Sequence, residues 1–201
     1  FPQDVIELRA LLTGDVDLPV KATPGLGARV EMWMLGSSLF GAQLAAKLGM
    51  PYAFAAHFAP DHLDEALEVY RHTFEPSEAL ERPHVMVAMN VFAAETSDEA
   101  ELIASSQQQA FVQLRSGKPG KLPPPIAQYT ESLPATARAM LEHVGQAGAV
   151  GQPSDVREKI DAFIARTDAD EILLCGSTFD PDARLKTLEL TLEAMDSRVT
   201  V

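Results

Sequence analysis

In the stretch "WMLGSSLFGAQLAAKLG", residues 33 to 49, an apolar run enters a Gly-Ser-Ser turn and leaves it as a helical pattern. Gly36 has no side chain to hold a ligand away from the backbone, and Ser37 and Ser38 bring hydroxyls. The helix beginning near Leu39 aims unpaired N–H groups and the positive end of its dipole at the turn. That combination suits an anion, and a phosphate above all. It equally describes ordinary capping, because serine is a favoured residue in front of a helix. Neither G-x-G-x-x-G nor G-x-x-x-x-G-K-[ST] is present, which disfavours a dinucleotide fold and a P-loop.

Few other residues can do chemistry. His57 falls at the end of an apolar run, where a polar side chain either meets a ligand or bonds a neighbouring loop. His62 and His72 share one helical stretch without ligand spacing, and His84 and His143 stand apart, so no metal site is expected. Cys175 lies in an apolar segment and reads as a small buried hydrophobe before a reactive thiol. Met32, Trp33 and Met34 are core candidates first. Gln107, Gln108 and Gln109 occupy consecutive helical positions and cannot all share one face.

The elements that must position these groups alternate. Apolar runs at 30–35, 51–57, 84–92 and 171–177 predict strands. Helical patterns over 38–48, from Asp61 to about Phe74, after Ser97 as a cap, and from Pro181 to about Met195 predict the helices between and after them. Leu39, Ala42, Ala46 and Phe40 are placed on the apolar face of the first of these. Another helix fills the first dozen residues. Strands apolar on both faces that alternate with helices imply parallel pairing in βα units. Four units are visible, and they fit either an open parallel sheet or part of a (β/α)8 barrel. Residues 115–130, "RSGKPGKLPPPIAQYT", are rich in Gly, Pro and Lys and predict a loop, with a lid as one role for it. A helix from about Pro134 to Val144, a short "AGAVG" segment and a helix opening at Pro153 follow.

Composition bounds the rest. A chain of 201 residues with 46% hydrophobic types can build one sizeable core. A net charge of −13 repels nucleic acid and anionic membranes. One cysteine rules out an internal disulfide framework and suits a reducing cytoplasm. No apolar run approaches a membrane span of about 20 residues. The expectation is a soluble cytoplasmic protein.

The stretch "WMLGSSLFGAQLAAKLGMPYAFAAHFAP", residues 33–60, resembles the luciferase-like flavin-dependent oxidoreductases, the class that includes bacterial luciferase and the alkanesulfonate monooxygenases. "AGAVGQPSDVREKIDAFIARTDADEILL", residues 147–174, is similar to that family's G-x-P-x-x-V helix and final barrel strand. The resemblance implies a TIM barrel, of which this chain would be the C-terminal half, about strands five to eight, in a single partial domain over 1–201. It implies reduced FMN as cofactor, with the phosphate lined by Gly36, Ser37 and Ser38 and an N–H from Gly41. It further implies oxygen and a small organic molecule as co-substrates, a separate flavin reductase as supplier and a homodimer as the working state. The flavin-facing histidine and other catalytic groups would then lie in the half not present. A non-catalytic flavin-binding protein and a phosphate-binding barrel enzyme of other chemistry are the alternatives.

Overall fold

The computed structural model describes residues 1–14, 19–28 and 30–196. The elements run α1 (Pro2–Thr13), β1 (Met34–Gly36), α2 (Leu39–Lys47), β2 (Tyr52–Phe54), α3 (Leu63–Thr73), β3 (Val85–Ala93), α4 (Ser97–Arg115), α5 (Ala135–Gly145), β4 (Gly148–Gly151), α6 (Pro153–Thr167), β5 (Glu171–Cys175) and α7 (Pro181–Asp196). A 3₁₀ turn at Tyr129–Ser132 precedes α5. Every strand pairing is parallel, as the alternating pattern predicts.

β3 is the hub and pairs with β2, β4 and β5. Its register sets Val85–Val87 beside β2, Met86–Asn90 beside β5 and Asn90–Ala93 beside β4. The Ala88 carbonyl accepts from His57 N–H at 3.0 Å, and the Asn90 N–H donates to the Ala147 carbonyl at 3.0 Å. Residues two apart on a strand turn their backbone groups to the same edge. β4 therefore continues along the edge of β3 that β2 has left.

One face of the sheet carries Met34, Tyr52, Phe54, Val85, Val87 and Val91, all buried. It packs against Ala42, Ala45 and Ala46 of α2, Leu63, Leu67 and Tyr70 of α3, Val156, Ile160 and Phe163 of α6, and Leu190 of α7. These fall at helical spacing, so each helix buries one stripe. Tyr70 pins the layers, its hydroxyl donating to the Met50 carbonyl at 2.8 Å and accepting from His84 N–H at 3.2 Å. Arg71 reaches across to the end of α6 and donates to the carbonyls of Thr167 and Asp168 at 2.8 and 2.6 Å.

The opposite face carries Leu35, Ala53, Met86, Ala88, Asn90, Phe92, Leu173 and Cys175, by the same register. Its lower part is uncovered: Leu35 is 66% exposed and Leu173 49%. α4 and α5 cover its upper part, where residues of both helices meet Asn90, Phe92, Gly148 and Val150 around a cavity.

Several boundaries differ from the sequence reading. β1 starts at Met34 rather than near residue 30, and β2 ends at Phe54, which leaves His57 in the turn beyond it. Thr96, not Ser97, caps α4, its hydroxyl accepting from Glu99 N–H at 3.2 Å. "AGAVG" is a strand, so five strands stand where four were expected among the described residues. Phe40 is 56% exposed and lies off the apolar face of α2. Gly49 stops α2 as expected, with φ +57 and no room for a Cβ, which would lie 2.7 Å from the Glu75 carbonyl oxygen.

Candidate functional site

The Gly36–Ser38 turn sits at the C-terminal end of β1, beside the turn that follows β2. Gly36 C=O accepts from Ala55 N–H at 2.9 Å, and Tyr52 donates its hydroxyl to Ser38 C=O at 3.3 Å. Burial pushes the Tyr52 phenol up, so it stays a neutral donor. Ser38 caps α2 with extended backbone, and its hydroxyl oxygen accepts from Gly41 N–H at a long 3.4 Å. The capping reading is thus correct, and it occupies Ser38 weakly. Among the described residues the N–H groups of Leu39 and Phe40 donate no hydrogen bond, as the first turn of a helix requires. A Cβ on Gly36 would meet nothing within 4 Å, and one on Gly41 only ordinary contacts, the nearest being Tyr52 Cε2 at 3.7 Å. Packing within the chain therefore asks for glycine at neither position. Gly36 leaves an open approach to two hydroxyls and a helix N-terminus, whereas Gly41 is buried on α2 with its N–H already given to Ser38 Oγ. No lysine or arginine occurs between Val30 and Ala46, so amides and hydroxyls are what this stretch can offer an anion.

His57 lies one strand over. Its N–H donates to Ala88 C=O and its own C=O accepts from the Asn90 side-chain amide at 2.9 Å, which fixes the backbone at both ends. The imidazole has no partner among the described residues, and Nδ1 is shut off from solvent. Burial lowers its pKa, so the ring is held neutral. Asn90 is 9% exposed, lines the same cavity as His57, and is a residue the sequence reading passed over. Its signal was present, as the one polar side chain in "VMVAMNVFA". His57, Asn90, Gln107, Gln108 and Phe111 share a cavity of about 90 Å³ under α4.

The model for the luciferase-like monooxygenases matches residues 9–171. The chain belongs to the luciferase-like monooxygenase family. It is 43% identical over 197 residues to a luciferase-like monooxygenase of Escherichia coli K12, covering 98% of this chain and 59% of that protein. It is 38% identical over 200 residues to YvbT of Bacillus subtilis, covering 98% of this chain and 60% of that one. Among solved structures, apo-MsnO8 superposes with a TM-score of 0.79 at 26% identity, over 97% of this chain and 59% of that one. The oxygenating constituent of 3,6-diketocamphane monooxygenase, solved in complex with FMN, shares the fold at a TM-score of 0.57 and 23% identity, over 82% of this chain and 47% of that one. This chain thus spans about three fifths of the curated relatives.

In this family member the remaining candidates fall into place. Gln107 and Gln108 face the cavity, and Gln107 Oε1 accepts from Ser177 N–H at 2.7 Å. Gln109 turns away and donates to the Pro124 carbonyl at 2.9 Å, while Ser105 Oγ accepts from Ile126 N–H at 2.8 Å. The loop of residues 115–130 is thereby tied back onto α4. Cys175 is half-buried rather than buried, opposite Asn90 in register, with its thiol pKa pushed up by burial. Met34 is in the core and Met32 packs against it, whereas Trp33 meets His84 edge-on at 5.4 Å, at the other end of the strands from the turn. His84 and His143 each pair with a carboxylate at 2.7 Å, Glu171 and Asp61 respectively. Among the described residues no group of three or more His, Cys, Asp and Glu is placed to hold a metal, and no helix is long and apolar enough to cross a membrane.

Proposed function

We propose that the intact protein is an FMN-dependent monooxygenase of the two-component kind, which takes reduced FMN from a separate reductase and oxygenates a small organic substrate. The observation that carries this is the open approach at Gly36, in front of two unpaired amides and two hydroxyls, in a chain of the luciferase-like family. Gly36, Ser37, Ser38 and the N–H of Gly41 would hold the FMN phosphate. Reduced flavin supplies two electrons to oxygen when bound. The chain's own residues bind and orient: the helix end fixes the phosphate, Asn90 fixes the His57 backbone, and α4 with α5 keeps water from the upper sheet face.

The diketocamphane monooxygenase constituent, with FMN bound on the same fold, supports the choice of cofactor. The uncovered lower face and the exposed Leu185, Leu188 and Leu192 stripe of α7 support a partial barrel, its strands standing for about the fifth to eighth, whose further units cover both. We assign the intact protein to the cytoplasm, as a homodimer.

The test is FMN titration of the intact protein by flavin fluorescence. Ser38→Ala should weaken binding by about 1.5 to 3 kcal/mol, the worth of a hydrogen bond to a charged group. Because Ser38 is also the cap of α2, Ser38→Gly is the control: glycine caps nearly as well, so melting should hold while FMN affinity falls. Unchanged affinity in both variants removes the phosphate assignment.

A further inference from the structure

The cavity under α4 is lined by the turn at His57 and by residues of β3, β4, α4 and α5, is open on one side, and is one-sided in its chemistry. Phe92, Ala104, Phe111, Leu141 and Val150 give it apolar walls. Its polar groups are His57, the Gln107 and Gln108 amides and Asn90, whose amide is already spent on the His57 carbonyl. Among the described residues no lysine, arginine, aspartate or glutamate lines it; Arg115, whose guanidinium lies 5.0 Å from the Phe111 ring centroid, is not a lining residue. An anion lodged there would lose water with no cation among the lining side chains to pair with, since Arg115 is engaged on the Phe111 ring. An uncharged oxygen faces no such cost, because the imidazole and two side-chain amides can each bond it. At about 90 Å³ the space is smaller than the roughly 150 Å³ that admits benzene, so it suits the oxygen-bearing end of a ligand, a group of a few heavy atoms, with the remainder outside its open side.

We propose that this cavity is the specificity pocket for the substrate, taking a compact uncharged group that carries one carbonyl or hydroxyl oxygen, and that it discriminates against sulfonates and carboxylates. His57 and the two glutamines bond the oxygen. Ala104 and Phe111 set the depth of the pocket. The flavin reading is needed only for calling the ligand a substrate.

Calorimetric titration of the intact protein with 2-hexanone, 2-hexanol, hexanoate and hexanesulfonate tests this. The ketone and the alcohol should bind, with both anions at least tenfold weaker. Ala104→Leu, which fills the cavity, should raise the Kd for 2-hexanone at least tenfold while leaving FMN affinity within twofold. Phe111→Leu, which deepens it, should shift the preference toward bulkier ketones, a gain that misfolding cannot imitate. Anions binding as well as the ketone, or ketone affinity indifferent to both variants, overturns the proposal. Wild-type protein that binds 2-hexanone in this pattern but no FMN would sink the flavin reading and sustain this one.

Discussion

The two faces of the sheet were built to different standards. The face of Tyr52, Phe54, Val85 and Val87 is dry from end to end beneath α2, α3, α6 and α7. The other is dry only at the top, where α4 and α5 lie over Asn90 and Phe92, and is bare lower down at Leu35 and Leu173. Stability and chemistry are thereby separated within one strand. The odd residues of β3 hold the fold together, and the even ones present Ala88, Asn90 and Phe92 to whatever occupies the other side.

Substitutions that sharpen this contrast differ in size. Phe54→Ala on the closed face should cost about 3 to 5 kcal/mol in chemical denaturation, the usual price of an aromatic cavity. A loss under half of that would mean the closed face is not the core.

Asn90→Ala should cost about 1 to 3 kcal/mol, because it leaves the His57 carbonyl without its donor. Its mark should be local as well, with faster amide exchange in the turn at residues 55–58. Uniform destabilisation without that local change would deny Asn90 its positioning role.

Shortening residues 116–128 should leave FMN binding nearly unchanged, lower melting through the lost partners of Ser105 and Gln109, and raise the hydrogen peroxide released per turnover in the intact enzyme, since we take this loop as a lid that keeps water out. Equal coupling with and without the segment ends the lid assignment. The smallest effect belongs to Leu173→Gln in the isolated chain, within about 0.5 kcal/mol as for other exposed sites. The same change in the intact protein should cost several-fold more if further barrel units cover that face.

Much of this was legible in the sequence because its signals were periodic. α3 shows Leu63, Leu67 and Tyr70 at helical spacing, β3 is a nine-residue run apolar but for Asn90, and α6 opens on Pro153, and all three formed where the pattern put them. β4 was not legible. "GAVG" has two glycines in four residues, which argues against a strand locally; it pairs because β2 stops short and leaves a free edge on β3 for it. The same nonlocal cause hid the role of α4. Its sequence gives an amphipathic helix after a strand, but not which face of the sheet it covers. At the site, Gly36 and Ser38 could be read from the turn itself. The burial of His57 and its tie to Asn90 depend on two strands 33 residues apart in sequence.

The placement of β4 also bears on how such a protein could diversify. The chain leaves the sheet after Ala93, passes through α4, the pinned loop and α5, docks again at Gly148, and re-enters beside β3 at Glu171. Both attachment points are backbone ladders that take no account of side chains between them. Insertions or deletions among residues 116–134 fall outside both ladders, and even a doubling of such a loop costs only about 0.6 kcal/mol in closure entropy. The cover over the upper face is therefore a cassette: evolution or an engineer can resize it to fit a new ligand while the strands beneath keep their register.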